Sequence, residues 1–341
     1  MSLAASNSSS WNSRQRRTWL GLFAITLVAT FISLFLGQSA WDESLRTTFL
    51  ELRAWRIAVA FGLGGCLAMA GVVIQAIFQN PLAGPSIIGT NAGAALGGQL
   101  MMFVFHLGLI PGLAAAIAPE LLVPFGAFIG AWGALTLLLV LVGRRADSLV
   151  ALLVGFLLSS IFASVGAFVL ARSQETWNLG RAMLSFSMGS IAGAGPRQAG
   201  LVLFALLVSS LGAFSWRRHL DMMLTGDDEA MAMGMDVASV RRWGIIWASV
   251  ACAAAVAVGG NIAFVGLITP HLLRPLVGNS ARALLPASAV AGGAFVILCD
   301  LVARQSASHG ETPLGVITGL IGAPVFLYLL IRMNRAEGRH G

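Results

Sequence analysis

Between Arg56 and Glu120 the chain carries no Asp, Glu, Lys or Arg. A membrane crossing takes about 20 predominantly apolar residues, so this interval has room for two. The sequence NPLAGP, Asn80 to Pro85, supplies the break between them, because proline removes a backbone donor and disfavours helix in the residue before it. Such an interval commits the chain to helices surrounded by lipid or by one another. The composition points the same way: 57% of residues are hydrophobic and 10% charged, against about 25% charged in an ordinary soluble domain. A water-soluble globule is excluded. Forty glycines in so apolar a chain fit close-packed membrane helices, where small residues let backbones approach.

Charge-poor intervals divide the chain into ten candidate crossings: Trp19 to Gly37, Ile57 to Phe78, Ile88 to Ile110, Leu121 to Gly143, Leu149 to Ala171, Gln198 to Trp216, Trp243 to Gly259, Asn261 to Leu273, Leu284 to Arg304 and Pro313 to Arg332. The eighth is short, so hydropathy alone leaves nine or ten. Parity decides between them. Arg14, Arg16 and Arg17 precede the first crossing, and Arg332, Arg335 and Arg339 close the chain. By the positive-inside rule both termini are cytoplasmic and the count is even. The apolar stretch Ala182 to Ala194 is too short to span and reads as a re-entrant or interfacial helix. The expected fold is all-α, with ten transmembrane helices per subunit. A single transmembrane domain, residues 19–332, lies between cytoplasmic tails, 1–18 and 333–341. Although the N-terminus imitates a signal peptide, no convincing A-x-A site closes its apolar run, and it is expected to remain as an uncleaved first helix.

All 21 basic residues are Arg. The phosphate-binding P-loop needs a Lys to reach the β and γ phosphates, so this chain cannot hold one, and any ATP that drives it is hydrolysed by another subunit. The arginines cluster at the ends of apolar segments, which reads as membrane topology rather than nucleic-acid binding. Cys66, Cys252 and Cys299 lie within apolar stretches without C-x-x-C spacing and read as small core residues. An ion-coupled transporter would keep an ionisable group near the midplane. Here the charges stop at segment ends: Asp300 and Arg304 close the ninth crossing, Glu311 follows it, and His106 and His309 sit at outer ends. A membrane-embedded enzyme would need a convergent nucleophile and base, and none is visible. The energy source lies outside the chain.

The one extended polar segment in the middle, Leu220 to Arg242, carries Asp227, Asp228 and Glu229 where a helix dipole favours negative charge. Thr225 is expected to cap that helix. Ala230, Met231, Met233 and Met235 give it an adaptable apolar surface, methionine being flexible and unbranched. Gly234 should end or bend it, and Val237 to Arg242 should begin a second helix. The same composition suits a solvated hairpin. In the break after the second crossing, Asn80, Pro81, Leu82, Pro85, Gly89 and Gly93 are expected to form an inner gate or hinge. His271, beside Pro270, reads as a packing or capping residue rather than a metal or haem ligand.

Six motifs in order resemble a family. They are RxxR with a Gly-rich helix (Arg53, Arg56, Gly62 to Gly71), QxxxxNPLAxPxxxGxxxGA (Gln75 to Ala94) and LTGDDEAMAMGM (Leu224 to Met235). They continue with GxIxFVGLxxPHxxR (Gly260 to Arg274), LLPxSAxxGGxxxxxxDxxAR (Leu284 to Arg304) and ExPxGVxTxxIGxPxFxYLL (Glu311 to Leu330). The chain resembles the permease subunits of ATP-binding-cassette importers for iron chelates, haem and cobalamin, the FecCD type. That resemblance implies a homodimer in the bacterial cytoplasmic membrane, with a translocation path along the dimer axis. It also implies two cytosolic ATPase subunits that use ATP and Mg, and a periplasmic or lipid-anchored binding protein that delivers the chelate.

The resemblance implies no cofactor, no metal and no nucleic acid bound by the chain itself. It makes Thr225 to Met235 part of the coupling helices that dock on the ATPase, Gly226 included. It places Arg53, Arg56 and Arg304 where the family receives carboxylates of the binding protein, a role suited to a rigid guanidinium fork. Interfacial anchoring is the alternative for Arg53 and Arg56. Ferric siderophore is the first expected cargo, with haem and then cobalamin behind it, an order set by how common each is in the family.

Overall fold

The computed structural model describes residues 13–36, 46–85, 89–109, 119–142, 148–306 and 311–337. Among them there is no strand. The helices are α1 (Ser13–Phe35), α2 (Arg46–Ile77), α3 (Thr90–His106), α4 (Pro119–Val142), α5 (Ser148–Ser173), α6 (Trp177–Met188) and α7 (Pro196–Ser215). They continue as α8 (Arg217–Met223), α9 (Asp227–Ala232), α10 (Val237–Gly259), α11 (Val265–Val277), α12 (Ala281–Gln305) and α13 (Leu314–Glu337). Seven of these, α1, α2, α4, α5, α7, α10 and α12, are long and apolar enough to cross a membrane. The other expected crossings are shorter: α3 has 17 residues, while α11, with 13, and the stretch Leu314–Leu329 of α13 are short apolar helices. The residues 144–147, His309 and the outer parts of both tails, 1–12 and 338–341, lie outside the described residues.

Several boundaries differ from the hydropathy reading, each for a local reason. Helix α2 begins at Arg46 rather than Ile57, because charged side chains do not end a helix once it has left the apolar slab. Helix α6 spans Trp177–Met188 rather than Ala182 to Ala194. It stops at Gly189, whose φ of 75° leaves the helical region, and Ala194 closes a turn by donating to the Ile191 carbonyl at 3.1 Å. A helix begins at Val237 as expected, but it runs unbroken through Trp243 into the seventh crossing as α10, and Asp236 caps its entry by accepting from the Ser239 N–H at 3.1 Å.

Helix α2 is the central post. From Val59 to Ile77 nearly every residue is buried, and it packs on α7, α10, α11 and α12. Glycines set these crossings. A Cβ built at Gly64 would lie 2.0 Å from the Gly292 carbonyl oxygen of α12, and one at Gly71 would lie 1.7 Å from that of Gly266 in α11. Helices α3 and α4 meet in the same way through Gly93, Gly97, Gly126 and Gly130. Helix α1 is different: Leu20, Phe23, Leu27 and Phe31 stay exposed, as lipid-facing side chains would be. Cys66, Cys252 and Cys299 are free and buried.

The Gly71 contact yields a prediction. Because the clash is with backbone, no rotamer relieves it, and Gly71→Ala is expected to cost about 3 kcal/mol, the upper part of the overpacking range. Thermal unfolding of the purified protein in detergent checks this. Gly133→Ala, where nothing lies within 4 Å, should not lower the transition.

Candidate functional site

At one end of the bundle, three arginines converge. Arg56, on the first turns of α2, faces two carboxylates from distant parts of the chain. Its Nε donates to Asp300 at 3.0 Å and 3.1 Å, and its Nη2 to Asp300 Oδ1 at 2.7 Å. Its Nη1 and Nη2 each reach a Glu311 oxygen at 2.8 Å. Arg304, one turn beyond Asp300 on α12, forms an ion pair with Asp300 Oδ2 at 3.2 Å and donates to the Ser33 hydroxyl and carbonyl. Arg53 donates to the Leu34 carbonyl at 2.8 Å. The cluster therefore ties the end of α1 to α2, α12 and the segment leading into α13. Asp300 is nearly sealed, its side chain 2% exposed, whereas that of Glu311 is 37% exposed. The sequence placed these charges at one end but did not reveal that Asp300 and Glu311 share Arg56.

The opposite end holds the short α8 and α9. Helix α9 starts at Asp227, but Thr225 does not cap it. Gly226 occupies the cap position with φ 118°, and the Thr225 hydroxyl bonds back to the Met222 carbonyl at 2.9 Å. A glycine conformation intervenes between Thr225 and the helix, so its side chain falls on the preceding turn. The acidic residues also separate into two kinds. Asp227 accepts from Arg241 Nη2 at 2.7 Å and from Gln79 Nε2 at 2.8 Å, bracing α9 against α10 and the end of α2. Asp228 and Glu229 are exposed.

The apolar positions divide likewise. Ala230 and Met235 are buried in a small cluster with Met223, Val237 and Val240. Met231 and Met233 remain 53% and 54% exposed. Gly234, with φ 83°, turns the chain after α9. A further tie was not foreseen from the sequence: Asp221 of α8 accepts from the Ser280 hydroxyl at 3.0 Å and the Ala281 N–H at 2.5 Å, joining α8 to the start of α12.

The break after α2 lies beside this end. Gln79 takes a left-handed conformation, φ 49°, and the Asn80 side chain accepts from the Leu82 N–H at 2.9 Å, an Asx-type turn that runs into Pro81. Gly89, φ 82°, precedes α3, and Gly93 then sits against Gly130 and Ala134 of α4. Pro85 lies beside Gly266 of α11. Just before the break, buried Gln75 accepts from Arg274 at 2.7 Å and donates to the Leu267 carbonyl at 3.3 Å. The turn is thus tied to α11 as well as to α9. The neighbouring His271 Nδ1 has no hydrogen-bond partner among the described residues.

The profile of the FecCD transport family matches residues 18–332. A cobalamin import system permease protein from Halobacterium salinarum is 35% identical over 86% of this chain and 76% of its own length. An Fe(3+) dicitrate transport system permease protein from Escherichia coli is 35% identical, covering 84% of this chain and 85% of its own. A solved structure described as an inward-facing conformation of a metal-chelate type ABC transporter superposes with a TM-score of 0.82 at 30% identity, over 93% of this chain and 99% of that one.

Proposed function

The chain belongs to the FecCD transport family, and from that premise we propose that it is the membrane-spanning subunit of an ATP-driven importer that takes up a metal chelate, ferric siderophore first. It works as a homodimer in the bacterial cytoplasmic membrane, with two ATPase subunits on the inner side and a binding protein on the outer. Ten segments cross: α1 to α5, α7 and α10 to α13, while α6 dips in without crossing. Gln15 at the start of α1 reaches the Val277 carbonyl at the end of α11, and Asp221 reaches the start of α12. Those helix ends therefore share one side, as an even count with both termini inside requires.

The observation that carries the reading is the bracing of α9. It is a small, exposed knob bearing Asp228, Glu229, Met231 and Met233, and the Asp227 contacts fasten it to α10 and α2. A partner that grips the knob moves those helices and, through Gln79, the turn at Asn80, Pro81 and Leu82. The residues from Thr225 to Met235 are the coupling element; Asn80, Pro81, Leu82, Pro85, Gly89 and Gly93 are the inner gate or hinge. The outer docking site lies at Arg53, Arg56 and Arg304, of which Arg56 and Arg304, 12% and 14% exposed and already paired with Asp300, hold the face in shape rather than meet a carboxylate of the binding protein themselves.

An ion-coupled secondary transporter is the rival reading. The test of cargo is ATP-dependent accumulation in liposomes holding this chain, its ATPase and its binding protein, with labelled ferric siderophore, haem and cobalamin offered separately. Uptake of the siderophore supports the reading; uptake of haem or cobalamin alone replaces the cargo while keeping the importer.

The outer site carries its own prediction. Arg53 places a cation on this face, so Arg53→Glu should weaken binding-protein docking about tenfold at low salt. The loss should shrink at physiological ionic strength, where the Debye length is about 8 Å. Equal docking by variant and parent, measured by surface-immobilised binding at two salt concentrations, would return Arg53 to anchoring.

A further inference from the structure

Two cavities near α4 are lined, among the described residues, by apolar side chains and glycine, as lipid-facing clefts would be. A third, of about 350 Å³, is different. It lies between α3, α5, the end of α6 and the break between α10 and α11, and its polar lining is Asn91, Gln99, Ser159, Ser187 and Asn261. Among the described residues no charged one lines it. We propose that this cavity is a cargo subsite that hydrogen-bonds an uncharged amide- or hydroxyl-bearing part of the chelate; the proposal rests on the importer reading above.

Three observations converge on it. The first is depth. Helix α6, twelve residues and so about 18 Å long, carries Ser187 near its end, and the Ser187 hydroxyl accepts from Gln99 at 2.7 Å in the middle of α3. The cavity therefore reaches from the exposed face of α5, at Ala163 and Ala167, in to the middle of α3. The second is backbone. Between α10 and α11 the chain leaves the helix at Gly260, φ 69°, and the Asn261 N–H turns to the Phe186 carbonyl at 3.3 Å. Irregular backbone at membrane depth persists only where protein covers it or water reaches it, and Asn261 is exposed.

The third is a weak bond. Asn91 lines the cavity, and its Nδ2 reaches the Asn261 side chain only at 3.5 Å, at the limit of a hydrogen bond. The serines of α5 avoid this problem by bonding to their own helix, as Ser160 and Ser164 do. The side-chain amides of Asn91 and Asn261 share no bond stronger than this contact, so their amide N–H groups are left to donate into the cavity they line.

The chemistry of the lining sets the ligand. Amides and hydroxyls offer both donors and acceptors, which match neutral amide, hydroxamate or hydroxyl groups. A carboxylate would enter a low-dielectric site without a cation to pair it, an unfavourable transfer. The volume is at the small end of ligand pockets, so it receives one arm of a chelate and not the whole.

The test uses the complete transporter in liposomes with its ATPase and binding protein. The probes are labelled ferrichrome and cyanocobalamin, which are neutral and amide-bearing, and ferric dicitrate, which is anionic. The expected result is accumulation of a neutral probe, reduced about tenfold by Asn91→Leu or Gln99→Leu, the factor carried by one hydrogen bond to a buried polar group. Ser164→Ala, on the exposed face of α5, should transport at the parent rate. Binding-protein-stimulated ATP hydrolysis verifies assembly of each variant. Should the leucine variants fail to assemble, the isosteric Asn91→Asp and Gln99→Glu are expected to lower neutral uptake in the same way.

Accumulation of ferric dicitrate, or parental uptake by assembled variants, would overturn the subsite. Failure of the importer reading looks different: the unmodified chain would show no ATP-driven uptake and no stimulated hydrolysis.

Discussion

Asp300→Ala is expected to destabilise the protein by about 3–5 kcal/mol, the cost of removing one partner from a buried ion pair. Asp300 is the shared anion of two guanidiniums, from Arg56 and Arg304, that are themselves 12% and 14% exposed. Removing it leaves two like charges facing each other at the junction of α2 and α12. The loss should appear as a lowered thermal transition in detergent and as reduced yield of folded protein. Glu311→Gln provides the contrast. Glu311, paired with Arg56, is 37% exposed, so solvent compensates much of its removal and the expected cost is about 1 kcal/mol or less. If the two variants unfolded alike, Asp300 would not be the keystone of that end.

The second large effect is functional. Asp228→Arg with Glu229→Arg is expected to lower ATP-driven uptake tenfold or more while leaving the thermal transition near the parent's, because both side chains are exposed and like-charge juxtaposition across an interface costs several kcal/mol. Asp227 must be left out of that variant. It holds Arg241 and Gln79, so Asp227→Ala would loosen α9 itself and confuse lost docking with lost structure. Met231→Asp with Met233→Asp probes the apolar half of the same surface and should have the same outcome. Uptake and ATPase retention measured on the reconstituted complex check both. Parental uptake by both double variants would show that the ATPase grips some other surface.

The sequence made much of this legible, and the reasons differ by element. Apolar runs bounded by charge located the long helices, because desolvating a charge in lipid sets those boundaries. The same rule failed for α2, whose polar first turns from Arg46 to Leu52 lie beyond the slab and keep helical hydrogen bonds regardless. It also misplaced α6, whose limits are set by Gly189 and not by hydropathy. Cap assignment failed at Thr225 because a single glycine, Gly226, took the cap position.

Pairing was the least legible property. That Arg56 faces both Asp300 and Glu311, or that Asp227 faces inward while Asp228 and Glu229 face out, depends on contacts hundreds of residues apart or on one turn's rotation. Composition carries neither. The glycine crossings lie between: Gly64, Gly71 and Gly292 announced close packing, but their partners emerged only from the fold. Asn91 and Asn261 stood inside recognisable motifs, yet only the packing of α3, α6 and the break before α11 brought them to one cavity.

The central claim is that ATP hydrolysed by a partner, gripping α9, drives accumulation of a chelate through this chain. The most direct measurement follows labelled chelate entering liposomes that hold the permease and its ATPase, with binding protein outside and ATP inside, before and after ionophores collapse every ion gradient. The account predicts accumulation that requires ATP and both partners and is unaffected by the ionophores. Accumulation that persists without the ATPase and vanishes with the ion gradient would contradict it.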